Sequence, residues 1–151
     1  MHARMTNPAT TVPGAMDALV ALGRVARDAG LPQTLVELVN LRASQVNGCG
    51  VCLFAHARDL RTAGQPDERI DTVAGWADSP FSTGAERAAL ALTEAVTRLA
   101  DRADPVPDDV YDEAARHFDE PRLAALLLTI ASINVWNRLN AATRQPAGSA
   151  W

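Results

Sequence analysis

Residues 33–56 read QTLVELVNLRASQVNGCGVCLFAH, and this stretch decides the fold. Leu35, Leu38, Val39 and Leu41 recur at helical spacing and predict a helix from about Gln33 to Val46. Asn47-Gly48 breaks it, and a second helix is expected from Cys49 to Gly64, a residue suited to a left-handed cap. Its inward face would hold Leu53, Ala57 and Leu60. One tight turn therefore joins two helices, with both cysteines of the chain at the start of the second.

The same grammar extends outward in both directions. Upstream, Leu19, Leu22, Val25 and Ala26 place a face on a helix from about Ala15 to Ala29, ended by Gly30-Leu31-Pro32. Downstream, a short helix is expected near Asp67 to Ala77. Thr83-Gly84-Ala85-Glu86 reads as a capping box that opens a helix to about Ala100. Ala88, Ala89, Leu92, Ala95, Val96 and Leu99 form its apolar stripe. After the polar link Asp101 to Pro107, Pro107 is suited to the first position of a helix to about Phe118. Pro121 opens a last helix to about Thr143. Residues 123–133 are apolar on most sides, which predicts burial on most sides. No alternating strand pattern occurs, and alanine, the best helix former, makes up about a fifth of the chain. The expectation is an all-α, single-domain bundle of about six to seven helices over residues 14–143. A flexible arm at 1–13 and a tail at 144–151 flank it.

Composition removes whole mechanisms. All 14 basic residues are arginine, set against 18 acidic ones for a net charge of -4, so a nucleic-acid footprint is not expected. Without lysine there is no Schiff base, no pyridoxal-phosphate anchor and no P-loop lysine. No stretch approaches the roughly 20 apolar residues of a membrane span, and the N-terminus has no apolar signal core. A cytoplasmic protein without membrane partners is the expectation.

Chemistry concentrates at Cys49-Gly50-Val51-Cys52. At a helix start, unpaired N–H groups and the helix dipole favour a thiolate. His56 follows Cys52 by four residues, one turn along the same face, where imidazole and thiol can exchange a proton. Glu37, on the preceding helix, reaches this face if the two helices pack together. Such a set suits peroxide or disulfide reduction. A thiolate attacks the peroxide oxygen, becomes a sulfenic acid, and the second cysteine closes a disulfide. Which sulfur attacks stays open: the helix start favours Cys49 and the histidine spacing favours Cys52.

Glu37 followed by Asn47-Gly48-Cys49-x-x-Cys52-x-x-x-His56 resembles the alkylhydroperoxidase D-like proteins of the carboxymuconolactone decarboxylase superfamily. Phe81 to Leu92 is similar to the second helix motif of the small members, and Ile133 to Arg138 to their C-terminal motif. The resemblance implies an all-helical subunit assembling into trimers or hexamers, with thiol-dependent peroxidase activity. It implies Cys52 as the attacking sulfur, Cys49 as the resolving one, and Glu37 with His56 as a proton relay. It brings no cofactor and no metal, only a hydroperoxide substrate and an external thiol reductant of the dihydrolipoyl type. The peroxidases carry a histidine just before the second cysteine; here it is Val51, which leaves the relay one member short.

Other readings compete. A redox-sensing or binding oligomer without turnover suits Val51, and a decarboxylase or lactone-processing enzyme belongs to the same superfamily. A structural zinc site would take Cys49, Cys52 and His56, with Glu37 or His117 as the fourth ligand. His117 otherwise reads as a helix-end residue. Asn134, Asn137 and Arg138 read as a hydrogen-bonded core or subunit contact rather than a substrate site, with Arg138 free to pair across an interface.

Overall fold

The structure, a computed structural model, describes residues 2–149, apart from the side chain of Asp101. The described residues form eight α-helices: α1 Pro8–Thr11, α2 Ala15–Asp28, α3 Gln33–Asn47, α4 Gly50–Thr62, α5 Asp67–Asp71, α6 Gly84–Thr97, α7 Asp108–His117 and α8 Glu120–Thr143. Six of them have ten residues or more, and the protein is an all-helical single domain. The segment expected as one short helix at 67–77 divides into α5 and a 3-10 turn at Val73–Gly75. Pro107 caps α7 from outside instead of occupying its first position.

α3 is the hub, packed against α4, α6 and α8, while α2 lies along α8. One core layer joins Leu35, Val36 and Val39 of α3 to Leu92 of α6 and to Leu126 and Ile130 of α8. A second joins Leu38 and Leu41 to Leu60, Ile70 and Leu90. Full burial of each such side chain is worth roughly 1.5–3 kcal/mol, so the α3 stripe stabilises both layers. α6 opens as its sequence dictates: the Thr83 side chain accepts from the Glu86 N–H, and Glu86 accepts from the Thr83 N–H.

Two stripes depart from expectation at their ends. Val25 is 59% exposed because α2 covers α8 on one face only. Leu99 is 52% exposed because α6 stops at Thr97 and the chain tightens into a 3-10 turn at Leu99–Asp101. The larger departure is on α8. Its apolar stretch is buried along one side, but Ala124, Leu128, Ala131 and Val135 form an exposed stripe at helical spacing. Apolar residues all round a helix do not say which of its sides the neighbouring helices cover.

Residues 1–13, read as an arm, carry α1 in their described part. Asn7 caps α1 through its Oδ1, which accepts from Ala9 N–H at 2.9 Å. Arg4 N–H donates to the Thr143 carbonyl at 2.8 Å, so this segment runs along the end of α8. Within the tail, Gln145 donates to the Met5 carbonyl at 3.0 Å, and residues 150–151 lie outside the described ones.

Candidate active site

The local geometry begins at Gly48. It caps α3 with φ +66°, a left-handed conformation that glycine adopts without strain. The turn is fastened from α8: Asn47 Nδ2 donates to Asn134 Oδ1 at 2.9 Å and Asn137 Oδ1 at 2.8 Å. Asn137 Nδ2 donates in turn to Ser44 Oγ at 3.0 Å, and Asn134 Nδ2 to Thr97 Oγ1 at 3.1 Å. The asparagine cluster is thus the hydrogen-bonded core expected, and its product is a fixed start for α4. Arg138 Nη1 donates to the Asn134 carbonyl of its own helix at 3.2 Å.

Cys49 is the N-cap of α4 and Cys52 lies in its first turn. The two are joined by a disulfide, with Cα atoms 5.4 Å apart. Ala43, Val51, Ile133 and Trp136 pack around them. Both cysteines are buried, but only Cys52 lines the adjoining cavity. One turn on, His56 also lines that cavity. Its Nδ1 lies 2.7 Å from Glu37 Oε2, so the residues expected to meet across the two helices do meet. Glu37 is 7% exposed, and its other oxygen accepts from Gln33 Nε2 at 2.5 Å. A carboxylate that accepts from Nδ1–H leaves Nε2 as the ring's free nitrogen.

The cavity has a volume of about 320 Å³. α2 supplies one wall through Met16, Leu19, Val20 and Gly23, and α8 the other through Thr129, Ile133 and Trp136. Gly23 stands in a helix interior, where glycine costs about 1 kcal/mol relative to alanine. A Cβ added there would lie 3.8 Å from Ser132 Oγ, in ordinary contact, so it is larger side chains that would enter the cavity.

The proposed zinc set does not assemble among the described residues. His117 Nε2 instead bonds Glu113 at 3.1 Å, and the ring packs against Gly84. The Arg116 guanidinium, followed by the His117 ring, holds the Glu113 carboxyl below the usual carboxylate range. The group that does converge is Glu37, His56 and Asp59, whose donor atoms lie within 4.8 Å of one another. There Glu37 and His56 already bond each other, and Asp59 accepts from Arg58.

Three site residues escaped the sequence reading. Gln33 was accessible, since it precedes Glu37 by four residues on one helix face. Asn140 continues the Asn134–Asn137 spacing along α8, but its partner Cys52 is 88 residues away. Asn7, 133 residues from its partner Asn140, left no local signal.

Residues 13–95 match the model of the carboxymuconolactone decarboxylase family. The uncharacterized protein YdfG of Bacillus subtilis is 33% identical over 137 residues, spanning 91% of this chain and 92% of that protein. The alkyl hydroperoxide reductase AhpD of Bradyrhizobium diazoefficiens is 44% identical over 48 residues, which are 32% of this chain and only 26% of that protein. In the crystal structure of ATU0492 from Agrobacterium tumefaciens, a protein of unknown function provisionally assigned to AhpD antioxidant defence, the fold superposes with a TM-score of 0.89. Identity there is 32%, over 99% of this chain and 100% of that one. A variant of the debrominase Bmp8 in complex with 2,3,4-tribromopyrrole shares the fold at 22% identity, with a TM-score of 0.81 over 93% of this chain and 74% of that one. With its matched core, its full-length relative and its shared AhpD-like fold, the chain belongs to the carboxymuconolactone decarboxylase family.

Proposed function

We propose that the protein is a thiol-dependent peroxidase and disulfide reductase acting on organic hydroperoxides. The observation that carries this reading is the cavity into which Cys52 and His56 open together, with His56 held from behind by Glu37. In the reduced protein, Cys52 passes its proton to His56 Nε2, directly or through a water. The thiolate attacks the hydroxyl oxygen of ROOH, the O–O bond breaks, and RO⁻ leaves with its electron pair. His56 returns the proton to RO⁻, giving ROH and Cys52–SOH. The Cys49 thiol then displaces hydroxide, which leaves as water, and the Cys49–Cys52 disulfide forms, the state in which the pair stands here. An external dithiol supplies two electrons and two protons to restore both thiols.

The largely apolar lining favours an organic body on the peroxide over hydrogen peroxide itself. Wild-type protein with cumene hydroperoxide and dihydrolipoamide is expected to consume many equivalents of peroxide per subunit. Gly23→Leu, which puts a large side chain into the cavity wall while relieving the glycine cost of α2, should raise KM for cumene hydroperoxide about tenfold or more. That is on the scale of 1.4 kcal/mol. Hydrogen peroxide consumption should change little. A wild-type reaction that stops after one equivalent would remove the peroxidase reading. It would favour a redox switch, the reading that Val51 supports by packing an apolar side chain beside the sulfurs.

A homo-oligomer is part of the same proposal. Leu128 and Val135, 40% and 37% exposed, belong to the apolar stripe of α8, and a second copy is the natural cover for it. Sedimentation is expected to show a multimer for wild type and a smaller species for Leu128→Asp/Val135→Asp with unchanged helical circular dichroism. A monomeric wild type would overturn it.

A further inference from the structure

Asn140 donates to the Cys52 sulfur, its Nδ2 lying 3.3 Å from Sγ. The residue is 2% exposed, on α8, opposite the start of α4. A primary amide presents two ends of opposite effect. Its N–H stabilises a neighbouring thiolate, whereas its carbonyl oxygen repels one.

The surroundings decide which end faces the sulfur. At the far end of a short chain of bonds stands the backbone N–H of Ala9, a group that only donates, held by Asn7 Oδ1 at 2.9 Å. Asn7 therefore turns its NH₂ the other way, and Nδ2 donates to Asn140 Oδ1 at 2.8 Å. With its oxygen engaged, Asn140 points its own NH₂ at Sγ. The polarity of three groups follows from one helix cap. Asn7 is 5% exposed, so water has little access to exchange for these bonds.

We propose that Asn140 is a catalytic hydrogen-bond donor to the Cys52 thiolate and that Asn7, acting through it, is a positioning residue that fixes its orientation. The donor is neutral and gives up no proton; the thiol proton goes to His56 or to solvent. Asn140 thus supplies at the sulfur a donor that Val51, the residue before Cys52, has no means to supply. The inference rests on Cys52 being the attacking sulfur.

The test is the pH dependence of Cys52 alkylation by iodoacetamide in the full-length, reduced Cys49→Ser protein, where a single thiol reports. Asn140→Ala is expected to raise the midpoint by about one pH unit, so that alkylation near neutral pH slows roughly tenfold. Asn7→Asp is the sharper probe. One of its carboxylate oxygens still caps Ala9, but the other faces Asn140, which must then turn its NH₂ away from the sulfur and its oxygen toward it. Its midpoint should rise at least as far as that of Asn140→Ala, although residue 7 is not bonded to the sulfur. Asn7→Ala, which leaves the amide free to choose, should move it less. A midpoint unchanged in Asn7→Asp overturns the proposal, and if Asn140→Ala fails to fold, Asn7→Asp alone carries the test. No peroxide enters the assay. Absent turnover with a shifted midpoint therefore removes only the peroxidase reading, and an unshifted midpoint removes only this one.

Discussion

Cys52→Ser should abolish peroxide consumption, lowering kcat/KM by about 10³ or more, because an alcohol is not deprotonated at neutral pH and has no sulfenic acid chemistry. Cys49→Ser should behave differently in kind. Cys52 still attacks, one equivalent of peroxide is consumed, and the reaction stops with a sulfenic acid that has no neighbouring thiol. Intact mass with and without dimedone trapping distinguishes the two variants, alongside peroxide consumed per subunit. The asymmetry follows from position: Cys52 and His56 line one cavity, while Cys49 is the N-cap buried behind them. If the two phenotypes exchange, Cys49 is the attacking sulfur, and the dipole at the helix start outweighs access to the cavity. Turnover by Cys52→Ser at the wild-type rate would remove the thiol mechanism altogether.

Periodicity made the helical architecture legible because most apolar stripes meet a neighbour. Leu35, Leu38, Val39 and Leu41 all turned out buried, and the break at Asn47-Gly48 delivered the cysteines to a helix start. The same signal misled on α8 and at Leu99, where a stripe continues past the surface that the neighbouring helices cover. Residues of the candidate site were legible to the extent that they were local. Cys52 and His56 follow from i,i+4 spacing, and Glu37 needed the family resemblance to single it out from other helix carboxylates. Asn140 and Asn7 acquire a role only when α8 returns beside α4 and the N-terminal segment runs past its end. Sequence spacing holds no record of that meeting.

Glu37 and His56 should fail as a unit. In Glu37→Gln the new amide can donate to Nδ1, which moves the ring proton to Nε2 and leaves the imidazole unable to accept from Cys52. Loss of a positioned general base costs on the order of 10²–10⁴ in rate, and Glu37→Gln should lie at the lower end of this range, near 10² in kcat/KM. His56→Gln should cost a similar factor, since it removes the base itself. The double variant should then be no worse than the poorer single one, because a base with the wrong tautomer and no base at all do the same work. Kinetics of cumene hydroperoxide reduction for the four proteins closes this cycle. Effects that multiply would mean that each residue acts on its own, with Glu37 serving α3 through Gln33 and His56 acting without it. A Glu37→Gln protein within about twofold of wild type would show that the 2.7 Å bond between them holds the helices together rather than the proton.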